Sequence, residues 1–212
     1  LFEYEPVNDP VPYKDQVLAV GYGQAYMSAD DVRYDAGSNV IMQYEVALCD
    51  VKPVNPETTV VGFVFGGKDG EENARYGTFA GYDYNSKSWV IGNFGWENGC
   101  TDIFASAPYE WTLPNTDESA GALVPATWHR LTLKIEGKKA SLYVDGALAV
   151  ETEKDCITVP ANSEDPKFNK LAPILYNCGK AIVDNIKITT DLTFNIEKNT
   201  GNVDLADYNI ST

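Results

Sequence analysis

The feature that most constrains the fold is an alternation of apolar and polar residues with a period of two. Every second position of segment 40–48 is apolar, namely Val40, Met42, Tyr44, Val46 and Leu48. The intervening Gln43 and Glu45 are polar, so this segment is predicted to be a strand with one buried face, and Glu45 is expected to face solvent. No segment shows the i, i+3, i+4 apolar stripe of a helix of ordinary length. The chain is therefore predicted to be all-β.

Turn signals divide the rest of the chain into short strands. Strands are predicted at 60–65, 76–84, 88–94, 129–135, 140–144, 147–150, 171–176 and 181–188. Asn85–Lys87 predicts a hairpin turn, and Asp145-Gly146 predicts a type I′ turn, which needs positive φ at both central positions. Trp96–Pro125 and Cys156–Lys170 are predicted to be long irregular loops. The pattern indicates an antiparallel β-sandwich, a jelly roll, over residues 1–190.

The remaining residues, 191–212, are predicted to be a C-terminal tail or linker, either an extra strand or the start of a following module. Gly201–Asn209 resembles half of a dockerin calcium loop. In that alignment the first three ligand positions fall on Ile196, Lys198 and Thr200, which do not suit calcium. No second repeat follows, so a working dockerin is not expected.

Two segments resemble a known family. Trp128–Gly137, followed by Ser141–Gly146, resembles the hairpin "W-h-x-l-x-l … l-y-v-D-G" of laminin-G-like and carbohydrate-binding members of the concanavalin A-like lectin/glucanase superfamily. Ile182–Ile188 is similar to the closing strand of the same sandwiches. The resemblance implies a concanavalin A-like jelly roll. It implies no single activity, because the superfamily contains lectins, binding modules, glycosidases, lyases and adhesion domains.

Asp184 is the residue on which a metal prediction rests. It has the parity of Ile182, Ile186 and Ile188, and an aspartate on an apolar face needs a partner or a ligand. In the resembling modules an aspartate at this place helps to hold a structural calcium, often with a glutamate near the N-terminal strand. The resemblance therefore implies calcium bound by Asp184 with Glu3, or with Glu5 in reserve. The alternative is that a bulge turns Asp184 to solvent, or that it bonds backbone amides alone.

Aromatic residues form the second candidate site, since 25 of the 212 residues are Tyr, Phe or Trp (13, 8 and 4). A Tyr or Trp ring beside amide side chains suits the apolar C–H face and hydroxyl rim of a sugar. The candidate carbohydrate-binding residues are Tyr82, Tyr84, Trp89, Trp96, Tyr109, Trp111, Asn93 and Asn98. The alternative is that the aromatic residues on strands pack in the core or across strands.

Catalytic signals are weak. The E-x-D-x-x-E strand used by retaining glycosidases of this fold does not occur, and no catalytic residue is assigned. A catalytic pair made of Glu45 with Glu97 or Glu110 is possible only if the tertiary structure brings these carboxylates together. Trp128 is predicted to lie in the core, and His129 in the core or the hairpin.

Charge and cysteine content bear on the binding partners and on the cellular compartment. The net charge of −15 argues against nucleic acid and anionic membrane surfaces as partners. No apolar run approaches the ~20 residues of a membrane span. Composition favours an extracellular setting, whereas the four cysteines, Cys49, Cys100, Cys156 and Cys178, decide neither disulfide state nor compartment.

These observations favour a non-catalytic, lectin-like module of a secreted or cell-surface, bacterial protein with further domains. It is expected to bind a neutral polysaccharide or glycan by aromatic stacking and hydrogen bonds, with calcium as a structural cofactor. The alternatives are a glycoside hydrolase or polysaccharide lyase of the same fold, and a laminin-G-like domain that binds protein.

Overall fold

The computed structural model describes residues 2–4, 17–26, 39–50, 58–66, 76–95, 97–113, 127–157 and 171–189. The regular elements in these ranges are strands: β1 (Phe2–Tyr4), β2 (Val17–Tyr26), β3 (Val40–Asp50), β4 (Val60–Phe65), β5 (Tyr76–Asp83), β6 (Ser88–Gly95), β7 (Gly99–Pro108), β8 (Trp128–Glu136), β9 (Lys139–Val144), β10 (Ala147–Glu151) and β11 (Leu171–Thr189). The predicted all-β class is confirmed. The predicted tail, 191–212, lies outside the described residues.

The strands form an antiparallel sandwich with β11 shared between its two layers. Hydrogen bonds join the strands in the order β10-β9-β8-β3-β11-β4-β5-β6-β7, and β2 pairs with β1 and β11. Residues 171–176 of β11 pair with β4, whereas residues 180–189 pair with β3. The path folds back on itself, since β10 contacts β6 and β7, and β9 contacts β5. The layers are therefore β4–β7 on one side and β3 with β8–β10 on the other.

The main core lies between the layers, and alternation in the strands builds it. Every second residue of β3 enters it, and Leu131, Leu133 and Ile135 of β8 meet them. The hydroxyl of Tyr44 donates to the carbonyl oxygen of Gly62 at 2.8 Å and so ties β3 to β4. Trp128 is buried, as predicted.

A second, smaller core lies on the opposite face of β4, β5, β6 and the first half of β11. Its buried members are Val60, Val64, Phe79, Val90, Phe94, Ile174 and Tyr176. These strands are therefore buried on both faces, which explains why β4 is a continuous apolar run and not an alternating one.

Two predicted boundaries are wrong. The stretch predicted as irregular, Trp96–Pro125, contains β7, an edge strand of the path whose residues are mostly exposed. Residues 101–104 are all exposed, and the alternation of a half-buried strand is confined to Ala105 and Ala107 near its end. The two strands predicted at 171–176 and 181–188 are one strand, β11. The pairing register shifts between Leu175 and Cys178, where Asn177 has a φ of 51°.

The predicted turns are confirmed. Asp145 and Gly146 have φ values of 52° and 79°, as a type I′ turn requires. At the other hairpin the carboxylate of Asp83 accepts the backbone N–H groups of Asn85 and Ser86, each at 3.3 Å.

The described thiols are free, with Cys156 and Cys178 buried and Cys100 partly buried. Cys100, Cys156 and Cys178 form no disulfide. Burial raises the pKa of Cys178 to about 12, so this thiol is protonated and inert at physiological pH. No helix within the described ranges is long and apolar enough to cross a bilayer.

Candidate functional site

Six rings meet where the ends of β5 and β6 approach β8 and the segment after β7. This aromatic cluster consists of Tyr82, Tyr84, Trp89, Tyr109, Trp111 and His129. Their ring centroids lie between 4.7 and 6.4 Å apart, mostly edge to face. Such geometry adds stabilisation beyond the burial of surface. Sequence reasoning named five of these rings, and the structure brings those five together with His129.

The cluster has a buried interior and a half-buried rim. Tyr82, Trp89 and Trp111 are exposed by only 1%, 4% and 3%, and they belong to the main core. In this structure these three residues pack and present no open ring face. Tyr84 and Tyr109 are half-buried, so they are the described cluster members with ring surface left for a ligand.

Hydrogen bonds hold the segment after β7 against the cluster. The Tyr82 hydroxyl donates to the carbonyl oxygen of Tyr109 at 3.2 Å and accepts the backbone N–H of Trp111 at 3.3 Å. The N–H of Tyr109 donates to the carbonyl oxygen of Lys87 at 2.8 Å, and the Lys87 ammonium contacts Glu110 at 2.8 Å. The rim is therefore fixed in place and locally neutral in charge.

His129 lies at the base of the cluster and is 5% exposed, in line with the predicted core position. Its Nε2 is 2.8 Å from the Tyr109 hydroxyl, and its Nδ1 is 2.7 Å from Oδ2 of Asp145. Burial, followed by the nearby Asp145 carboxylate, raises the pKa of Tyr109, so its hydroxyl stays protonated at neutral pH. These contacts form a hydrogen-bond relay from Asp145 through His129 to Tyr109. Sequence reasoning missed this relay because Asp145 was assigned to the turn alone.

The predicted amides Asn93 and Asn98 lie away from the cluster. Asn93 is four residues along β6 from Trp89, which is about 14 Å in a strand. Asn98 is exposed in the turn before β7, and Trp96 lies outside the described residues. The structure therefore does not bring the amides to the aromatic rings.

An irregularity in β7, here called the edge bulge, surrounds Asn93. Ile91 pairs with Ala105 and Asn93 with Thr101, so one residue of β6 faces Asp102, Ile103 and Phe104 of β7. Nδ2 of Asn93 donates to Oδ2 of Asp102 at 3.1 Å. Ile103 and Phe104 are exposed by 46% and 44%. The exposed Phe104 was not foreseen, because bulges have no clear sequence signature.

Around Asp184 the structure differs from the prediction in two respects. Ala181 and Val183 are buried while Ile186 is 37% exposed, so the buried parity of β11 is not that of Asp184. The Glu45 side chain, expected to face solvent, is only 14% exposed. Glu45 pairs with Arg130 and with Asp184 across the strands, and the Arg130 guanidinium binds its Oε1, at 2.9 Å from Nε.

Asp184 accepts hydrogen bonds from both the backbone and the side chain of the residue that follows it, Asn185. Its Oδ1 accepts the backbone N–H of Asn185 at 2.7 Å, and the register shifts between Asp184 and Lys187. Nδ2 of Asn185 also donates to Oε2 of Glu45 at 2.8 Å. A bulge with an aspartate bound to a backbone amide is therefore present.

Backbone register relates Glu3 to this region. Glu3 pairs with Leu18, and Leu18 pairs with Val183, so Glu3 lies two strand spacings, about 10 Å, from the neighbour of Asp184. The side chain of Glu3 and all of Glu5 lie outside the described residues. Within the described side chains, no three His, Cys, Asp or Glu residues are grouped closely enough to hold a metal.

Comparison with solved structures agrees with this fold. The chain is similar to the carbohydrate-binding module CBM66 from Bacillus subtilis, with a TM-score of 0.50 and 13% identity over 88% of this chain and 93% of that one. Weaker likenesses are to an Aspergillus kawachii β-fructofuranosidase complexed with glycerol (TM-score 0.48, 12% identity, 85% of this chain and 28% of that one) and to Trypanosoma rangeli sialidase (0.42, 14%, 78% and 21%).

The chain thus spans nearly the whole length of the binding module. At these identities the likeness shows the fold alone, an antiparallel β-sandwich of the jelly-roll type that the strand pattern predicts. No family model matches the sequence, and no curated protein matches it.

Proposed function

We propose that this chain is a non-catalytic carbohydrate-binding domain of a secreted or cell-surface, bacterial protein that has further domains. The observation that carries the proposal is the half-buried rim of the aromatic cluster, where Tyr84 and Tyr109 lie over a rigid base of buried rings. A tyrosine ring held in one orientation stacks on the apolar face of a sugar without losing side-chain entropy on binding.

The charge at the rim of the cluster supports a neutral ligand. The rim charges of Lys87 and Glu110 compensate each other, and the net charge of −15 disfavours polyanionic glycans. The Bacillus subtilis structure of the same fold is itself a carbohydrate-binding module.

The carboxylates near the cluster are engaged in other contacts, which favours binding over hydrolysis. Glu110 contacts Lys87, and Asp145 contacts His129 and the backbone of Arg130. A retaining glycosidase instead needs two carboxyl groups about 5 Å apart on either side of the scissile bond. A hydrolase or lyase and a protein-binding adhesion domain remain the alternatives.

A glycan array, with neutral plant and host polysaccharides, tests the proposal. We expect retention of at least one neutral glycan and no release of reducing ends or unsaturated products from it. Binding to no glycan would overturn the carbohydrate proposal, and steady release of products would replace it with the enzyme.

A structural calcium held by Asp184 with Glu3 or Glu5 is a separate part of the proposal. The register of β1 and β2 against β11 supports it, although Arg130 already neutralises Glu45. The further oxygens must therefore come from Glu3, Glu5 and backbone carbonyls.

We expect a chelator to lower the melting temperature of the wild type but not that of Asp184→Ala. Identical wild-type melting curves with and without chelator would rule this calcium out.

A further inference from the structure

His129 is the single histidine of the chain, and both of its ring nitrogens are engaged beneath the proposed sugar-binding rim. On one side Nδ1 meets Asp145, and on the other Nε2 meets the hydroxyl of Tyr109. The neutral imidazole donates through one nitrogen and accepts through the other. The hydrogen-bond partner at Nδ1 therefore determines whether Nε2 is a donor or an acceptor.

The position of Asp145 is itself fixed. Its Oδ1 accepts the backbone N–H of Arg130 at 2.9 Å, and its own N–H donates to the carbonyl oxygen of Arg130 at 2.9 Å. Oδ2 is therefore directed at Nδ1 of His129, at 2.7 Å. A carboxylate only accepts, so the proton of the neutral imidazole is placed on Nδ1 and Nε2 becomes an acceptor.

We propose that Asp145 and His129 are positioning residues that make the Tyr109 hydroxyl donate inward to Nε2, so that its oxygen accepts a hydrogen bond from a ligand hydroxyl. The site then selects glycans that place an O–H donor against Tyr109, while the ring of Tyr84 supports the sugar face. This inference rests on the proposed function and specifies the ligand chemistry of that same site.

The substitution Asp145→Asn replaces the carboxylate by an amide of the same shape and reverses the direction of each hydrogen bond in the relay. The backbone N–H of Arg130 still requires an acceptor, so the amide oxygen takes the place of Oδ1 and the amide nitrogen takes that of Oδ2. The amide then donates to Nδ1, the imidazole proton moves to Nε2, and Nε2 donates to the Tyr109 oxygen. The Tyr109 hydroxyl becomes a donor towards the ligand.

The first arm of the test measures the tautomer and needs no ligand. With ¹⁵N-labelled protein at a pH where the imidazole is neutral, the single histidine gives two ring-nitrogen signals without any assignment problem. We expect a protonated Nδ1 and an unprotonated Nε2 in the wild type and in Tyr109→Phe, and the reverse in Asp145→Asn. A wild type protonated at Nε2, or an unchanged tautomer in Asp145→Asn, would overturn the inference whatever the glycan result.

The second arm measures affinity for a glycan retained by the array. We expect Asp145→Asn and Tyr109→Phe each to weaken binding about tenfold, the effect of one hydrogen bond of roughly 1.4 kcal/mol, and the double variant to lose little more than either. Tyr109→Phe keeps the ring and the Asp145–His129 contact, so it reports on the hydroxyl even where Asp145→Asn folds poorly.

The two arms separate the possible failures. Wild-type affinity in Tyr109→Phe would overturn the role of the hydroxyl while leaving glycan binding in place. No glycan binding by the wild type would overturn the proposed function, and with it the ligand-facing part of this inference.

Discussion

Gly81→Ala is expected to destabilise the protein by about 3 kcal/mol or more, the upper end of the range for overpacked interiors. Gly81 pairs with Gly62 between β4 and β5, and both glycines lie on the side of the second core. A Cβ at Gly81 would lie 2.3 Å from the carbonyl oxygen of Val61 and 2.6 Å from the Phe79 ring. Because one of these contacts is with backbone inside a sheet, side-chain rotation cannot relieve it.

Gly137→Ala is the matched control. A Cβ there meets nothing within 4 Å, but the φ of +62° is unfavourable for alanine, so a cost of only about 1 kcal/mol is expected. Urea unfolding of both variants provides the comparison. Equal stabilities of Gly81→Ala and the wild type would show that β4 and β5 do not approach each other this closely.

Trp89→Ala is expected to cost about 3–5 kcal/mol, because it removes a large side chain from the interior of the aromatic cluster. The Trp89 ring contacts Tyr82, Tyr109, Trp111 and His129 at centroid distances of 5.2, 5.1, 5.6 and 5.8 Å. A tryptophan that stacked on sugar from an exposed position would instead leave stability nearly unchanged when removed.

The comparison variant is Tyr84→Ala, which removes a half-buried ring from the rim of the same cluster. Denaturant unfolding should show a smaller loss of stability for Tyr84→Ala than for Trp89→Ala. A Trp89→Ala variant as stable as the wild type would return Trp89 to the set of exposed sugar-binding candidates.

Much of the fold was predictable because burial of one strand face leaves a period-two pattern. The alternation in 40–48 correctly predicted β3, and Asp145-Gly146 correctly predicted the turn between β9 and β10. The pattern failed where a strand is exposed on both faces, as in much of β7, because no apolar period marks it. It also could not show that β11 continues past Asn177 from one layer to the other.

The site was less predictable, because a sequence shows which rings are present but not how far each is covered. Tyr82 and Tyr84 have the same strand parity, yet the first is 1% exposed and the second lies half-buried in the turn. Glu45 looked solvent-facing because its partner, Arg130, is 85 residues away in sequence. The contact of Asp145 with His129, 16 residues away, was hidden because Asp145 was assigned to the turn alone.

The most direct test of the account is the affinity of a retained neutral glycan, measured by titration calorimetry for the wild type, Tyr84→Ala and Phe104→Ala. Phe104 provides the control, since it is an exposed aromatic residue on the edge bulge, away from the cluster. The account predicts about tenfold weaker binding for Tyr84→Ala, from loss of one stacking contact, and unchanged binding for Phe104→Ala. Full affinity in Tyr84→Ala together with a loss in Phe104→Ala would contradict it and place the glycan on the edge bulge.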